Sequence, residues 1–227
     1  NLSHIELAHR KDGADAGLRR GDVITLPEAV RLTDCVDVWL ERSPRLKASQ
    51  YARPVALRHG LNLRAHWLST SAEARLILDS RRDRVEPGEA CLARLKLSRP
   101  LCILTGDRFI LRDSSQSTTL AGGWILDPCA GRESLRAPAV QAFLASRAEN
   151  PDAPNAWIAA RVAKESTIDR ADLALETPLS DDALQRALDA LHGAGVLRFL
   201  GRALIAEAGL ADRVLEAMAR LVDSGHA

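Results

Sequence analysis

Rings are scarce in this chain of 227 residues: one Tyr, three Phe and four Trp make up 4% of it. That is too few for a recognition surface built from rows of stacking aromatics. No uncharged apolar run nears the ~18 residues a membrane span needs, and the opening Asn1-Leu-Ser-His-Ile-Glu6 lacks the basic, apolar and small-residue order of an export signal. No membrane partner and a cytoplasmic location are therefore expected. An excess of one charge is also missing: 31 Lys and Arg face 30 Asp and Glu, a net charge of +1, so the chain as a whole is not an object that wraps nucleic acid unaided. Cys35, Cys91, Cys102 and Cys129 form no Cys-x-x-Cys pair and have no His at ligand spacing. Neither a zinc site nor a disulfide framework is expected, only reduced, buried thiols.

Catalytic signatures are absent as well. A phosphate-cradling loop needs a glycine-rich turn followed by Lys and Ser or Thr, because backbone N–H groups and the lysine neutralise the phosphates. The chain has no such run and no Asn-Lys-x-Asp, so no cofactor is expected in it. Gly-x-Ser-x-Gly and His-Glu-x-x-His are missing, and His4, His9, His59, His66, His192 and His226 have no paired helical spacing. A triad around His66 and Asp107 is disfavoured because His66 falls on a strand face beside Arg64. No catalytic residue and no metal ligand is assigned.

What the chain does have is an ordinary globular composition, 46% hydrophobic and 27% charged, and a length that suits two domains. Up to about Pro128 the apolar pattern has period two. Val36, Val38 and Leu40 share a face of 33–42; Leu61, Leu63, Ala65 and Trp67 alternate with Asn62, Arg64 and His66; Cys91, Ala93, Leu95 and Leu97 alternate with Leu92, Arg94 and Lys96. Turn signals at Ser43-Pro44, His59-Gly60, Pro87-Gly88, Gly106-Asp107 and Asp113-Ser114 separate these strands, the pattern of a β-barrel or sandwich. Gly122-Gly123 marks a bulge or close backbone contact, and Trp124 beside it is expected to be buried.

The stretch from Pro128 to Pro138 reads as a connection. Beyond it the period is helical. Ser180 is an N-cap candidate with Asp181 and Asp182 in the first turn, and Gly193 and Gly195 close a helix over 181–192. Val196 to Ala206 then reads as two short strands turning at Gly201-Arg202. Helices, a recognition-type helix and a hairpin follow one another as in a winged helix-turn-helix domain. Charge divides at the same place. Residues 42–112 hold 15 basic and 6 acidic residues, whereas 138–227 hold 9 against 13. Any polyanion footprint therefore belongs to the β region.

Several runs are similar to one family. They are Leu18-Arg-Arg-Gly-Asp-Val-Ile24, Thr33-Asp-Cys-Val-Asp-Val-Trp-Leu40, Leu95-Lys-Leu-Ser-Arg-Pro-Leu101, Gly106-Asp-Arg-Phe-Ile-Leu-Arg-Asp113 and Thr119-Leu-Ala-Gly-Gly-Trp-Ile-Leu-Asp127. In order, with Pro87-Gly88 between, they resemble the bacterial selenocysteine-specific elongation factors, commonly called SelB. The most specific part, Gly106 to Asp113 followed by Thr119 to Gly123, resembles the closing strands of the third domain in factors of the elongation factor Tu type. Ile168-Asp-Arg-Ala-Asp-Leu173 and Gly195-Val-Leu-Arg-Phe-Leu-Gly-Arg-Ala-Leu-Ile205 are similar to the family's first C-terminal winged helix.

The resemblance implies a fragment: residues 1–27 the end of a β-barrel second domain, 28–130 a β-barrel third domain, and 131–227 a winged-helix domain. It further implies selenocysteyl-tRNA as partner, GTP and magnesium held by a domain outside these residues, and contacts to the ribosome and the selenocysteine mRNA hairpin through other missing domains. A monomer is expected. By analogy with elongation factor Tu, the tRNA backbone would meet Lys47, Gln50 and Arg53, and Arg112, Ser114, Ser115 and Gln116 in the turn before Thr118. These side chains neutralise phosphates or hydrogen-bond 2′-OH groups. One departure is Trp67-Leu-Ser-Thr70, where family members often carry a small glycine turn. The alternative reading is a transcription regulator pairing a β sensor domain with a DNA-binding winged helix. It is disfavoured by the helix at 181–192, which sets Asp181, Asp182 and Asp189 against Arg186 alone.

Overall fold

The computed structural model describes residues 29–44, 56–79, 82–115, 118–131, 133–201 and 203–210, together with Val23 and residues 212–214, 216, 218 and 220. The expected second-domain remnant at 1–27 lies, apart from Val23, outside the described residues. Two compact units are present, one made of the residues up to Pro151 with Leu175–Pro178, the other of Asp152–Ala174 and the residues from Leu179 on.

The first unit contains strands β1 (Leu32–Arg42), β2 (Leu57–Arg58), β3 (Asn62–Trp67), β4 (Thr70–Leu78), β5 (Arg84–Val85), β6 (Ala90–Cys102), β7 (Arg108–Arg112) and β8 (Thr119–Asp127). Six of them close an antiparallel barrel in the order β1-β6-β4-β3-β7-β8, with β8 returning to β1; β2 and β5 pair separately. Alternation dictates the filling. Val36, Val38, Leu40, Leu63, Ala65, Leu76, Leu95 and Leu111 point inward and are buried, each large one contributing about 1.5–3 kcal/mol. Trp67 and Phe109 meet inside with ring centroids 6.1 Å apart.

Closure depends on a close approach at one glycine. A Cβ on Gly123 would lie 1.8 Å from the Trp39 carbonyl oxygen on β1, so only glycine lets β8 seal against β1. Trp124, expected inside, instead points out of the barrel and is half-buried: it packs on Trp39 with centroids 5.9 Å apart, under the Arg108 guanidinium. Alternation between the buried Ala121 and Ile125 puts Trp124 on the outer face, with its register partners Trp39 and Arg108. The four cysteines also differ from expectation. They are free thiols but only partly buried, and desolvation pushes those of Cys91 and Cys129 up to about 11, which keeps them protonated.

The connection after β8 is pinned to the barrel. Arg94 on β6 bonds Asp37 on β1 through two nitrogens, at 2.6 and 2.9 Å, and donates to the carbonyls of Gly131 and Glu133. Helix α1 (Pro138–Glu149) follows, with Pro138 in its first turn. Its buried stripe of Val140, Phe143, Leu144 and Arg147 packs toward β8 and β1, with Arg147 donating to the Leu126 carbonyl. This helix belongs to the barrel's compact unit.

In the second unit, α2 (Pro154–Glu165), β9 (Thr167–Asp169), α3 (Arg170–Glu176), α4 (Asp181–Gly193), β10 (Leu197–Leu200) and β11 (Leu204–Glu207) follow in order. The strands form an antiparallel sheet in the order β10-β11-β9. Ser180 caps α4 by accepting the Ala183 N–H at 3.3 Å, with Asp181 and Asp182 in the first turn. Ile158, Val162, Ile168, Leu184, Leu188, Leu197 and Ile205 form its core.

Candidate nucleic-acid interface

Outward positions of the barrel carry its charge, and most of its arginines are spent internally. Among the described residues Arg42 donates to the Val85 carbonyl, Arg82 pairs with Glu89, Arg84 with Glu86, Arg94 with Asp37 and Arg136 with Asp79; Arg99 bonds Thr70 and Ser71. Arg58, Arg64, Arg75 and Arg112 differ. None of their side chains has a hydrogen-bond or ion-pair partner among the described residues.

Register makes Arg64, Arg75 and Arg112 neighbours, and a shared groove adds Arg58. Arg64 on β3 stands opposite Arg112 on β7, and Asn62, two residues before Arg64 and hence on the same face, stands opposite Arg75 on β4. Arg75 in turn is opposite the exposed Lys96 on β6. Arg58 and Arg75 line one groove of about 610 Å³ with His59, Gly60, Leu61, Asn62 and Ser114. From β6 to β7 the stripe crosses three inter-strand spacings, roughly 14 Å. Glu73, opposite Arg64 on β4, is the acidic residue in this stretch, and it forms no ion pair with Arg64 among the described residues. Burial and the adjacent Arg112 and Arg64 hold the His66 imidazole below its ordinary value, so it is neutral at pH 7.

The seven residues expected to meet tRNA fall into three groups. Lys47, Gln50, Arg53 and Gln116 lie outside the described residues. Arg112 and Ser114 stand on the stripe and in its groove. Ser115 does a local job: its hydroxyl donates to Asp113 Oδ2 at 2.7 Å, while Asp113 Oδ1 accepts the Thr118 N–H at 3.0 Å, which ties the turn together. Sequence reading passed over Arg58, Arg64, Arg75 and Lys96. Their signal was the +9 balance of 42–112, which gave the region but not the face. Asp107 accepts the Leu104 N–H within its own turn, and His66 Nε2 has no partner, so no charge-relay pair joins them. No group of three or more His, Cys, Asp or Glu suited to a metal exists among the described residues. No described helix is long and apolar enough to cross a membrane.

By sequence the barrel matches a domain of a translation-factor family. Residues 42–132 match the family described as selenocysteine-specific elongation factor, beta-barrel domain. A selenocysteine-specific elongation factor from Desulfomicrobium baculatum is 30% identical over 179 residues, which is 78% of this chain and 27% of that protein. Both matches support a fragment of the family of selenocysteine-specific elongation factors, and the chain spans about a quarter of the length of the curated relative it matches.

Proposed function

We propose that this chain is the part of a selenocysteine-specific elongation factor that holds the backbone of selenocysteyl-tRNA during its delivery to UGA codons, and that the barrel's arginine stripe does the holding. The observation that carries this reading is the set of four arginines without a hydrogen-bond or ion-pair partner among the described residues, Arg58, Arg64, Arg75 and Arg112, on a barrel where Arg42, Arg82, Arg84, Arg94 and Arg99 are bonded within the chain. Guanidinium groups that carry no ion pair among the described residues suit a phosphate backbone, and the Ser114 hydroxyl and Asn62 amide suit ribose 2′-OH groups beside it. Recognition of this kind reads shape more than sequence. Lys47, Gln50, Arg53 and Gln116 stay candidate tRNA contacts in this reading, which divides the chain into a third domain at 28–130 and a winged-helix domain at 131–227. GTP hydrolysis with magnesium, and contacts to the ribosome and the mRNA hairpin, fall to other parts of the factor, and the fragment acts as a monomer in the cytoplasm.

The helical unit is, on this reading, a winged helix-turn-helix in which α3 and α4 form the helix pair and β10 and β11 the wing. It serves as a spacer. The exposed side of α4 carries Asp181, Asp182 and Asp189 against Arg186, and that balance repels a nucleic-acid backbone, which argues against the transcription-regulator alternative. A gel shift of the full chain with a tRNA transcript and with duplex DNA, at several salt concentrations, tests the reading. Preference for tRNA supports it, and preference for DNA overturns it.

A further inference from the structure

We propose that Arg64, His66 and Arg112 form one phosphodiester-binding subsite that takes up a proton on His66 when occupied, so that RNA binding to this barrel is proton-linked. The inference deepens the tRNA reading and rests on it. Arg64 and His66 are two residues apart on the outward face of β3, and Arg112 lies opposite Arg64 and diagonal to His66, so the three groups sit within about 5–8 Å of one another at the backbone. Arg64 Nε, Arg112 Nε and His66 Nε2 are each shielded from solvent and without a hydrogen-bond partner. Shielded polar groups without partners are costly, and one phosphate placed between the three side chains supplies acceptor oxygens for both guanidinium groups and for the imidazolium.

The charges around the ring give the sign of the effect. On β3 itself stands Arg64. On β7, Ile110 is opposite His66, with Arg108 and Arg112 on either side. On β4, Ser71 is opposite His66 and Glu73 opposite Arg64, and Arg99 from β6 bonds the Thr70 hydroxyl and the Ser71 carbonyl. In the empty site burial, Arg112 and Arg64 hold the imidazole neutral. A bound phosphate offsets the two guanidinium charges and accepts a hydrogen bond from the imidazolium, which raises the pKa. Affinity is then flat above the pKa of the occupied site, rises as pH falls from that value to the pKa of the empty site, and is flat again below it. The gain is about tenfold for each unit separating the two.

The test is fluorescence anisotropy of a labelled tRNA transcript with the full chain, at fixed ionic strength, between about pH 8 and 5.5, a range that brackets histidine titration. The wild-type chain is expected to bind more tightly as pH falls. His66→Gln is expected to lose most of that gain, whereas His192→Gln, in the second unit, keeps it. An NMR titration of the His66 ring in the wild-type chain is expected to show a higher pKa with transcript bound than without. Identical pH profiles for wild type and His66→Gln, or an unmoved His66 pKa, overturn the proposal while leaving the tRNA reading standing if Arg112→Ala still weakens binding. Absence of tRNA binding at every pH overturns both.

Discussion

Arg64 on β3 lies directly opposite Arg112 on β7, two guanidinium groups side by side on the outer wall of the barrel, with no carboxylate bonded to either among the described residues. Like charges facing each other across strands cost roughly 0.2–1 kcal/mol, so the pair is held against the fold's own interest. Arg112→Gln should therefore raise stability in urea denaturation by about 0.5 kcal/mol while weakening tRNA binding. A loss of stability would mean that Arg112 serves the fold.

Asp37 and Arg94 present the opposite case, a buried bidentate pair whose guanidinium also holds the chain leaving β8. Removing one partner strands a buried charge and costs about 3–5 kcal/mol. Asp37→Ala should lose that much, and the double variant Asp37→Leu with Arg94→Leu should lose less than the single one. Equal losses in chemical denaturation would locate the stabilisation in the Gly131 and Glu133 contacts instead.

The β3–β4 turn places Leu68 at a φ of 45° with its side chain 96% exposed. A left-handed L-residue is strained by about 1–2 kcal/mol, and Leu68 recovers almost nothing by burial. Leu68→Gly relieves the strain and forfeits part of the gain to unfolded-chain entropy, leaving an expected stabilisation on the order of 0.5–1 kcal/mol. Thermal denaturation measures it, and a lower midpoint would contradict the assignment of strain.

Much of this architecture was legible in local period. Val36, Val38 and Leu40 alternate as they do in β1, and Ser180 with the glycines after Leu191 brackets α4 to within a residue. What escaped depended on partners distant in sequence. Three residues, Thr167–Asp169, are too few to display a period, and they form a strand because β11 pairs with them. Trp124 is expected inside from the glycines beside it in a closing strand, whereas alternation between the buried Ala121 and Ile125 sets it on the outer face. Arg112 and Ser114 were legible through resemblance, while Arg58, Arg64, Arg75 and Lys96 each look locally like any solvated strand position. Only the cross-strand register, and for Arg58 the groove it shares with Arg75, turns them into a face.

RNA affinity, on the proposed reading, resides in the arginine stripe. The salt dependence of tRNA binding by the full chain between about 50 and 200 mM salt, where counterion release shows clearly, tests this. Arg64→Ala, Arg75→Ala and Arg112→Ala should each lower the log-log slope by about 0.7–0.9, and Arg186→Ala on α4 should leave it unchanged. Slopes that stay at the wild-type value in the three barrel variants, or a fall with Arg186→Ala, would contradict the claim.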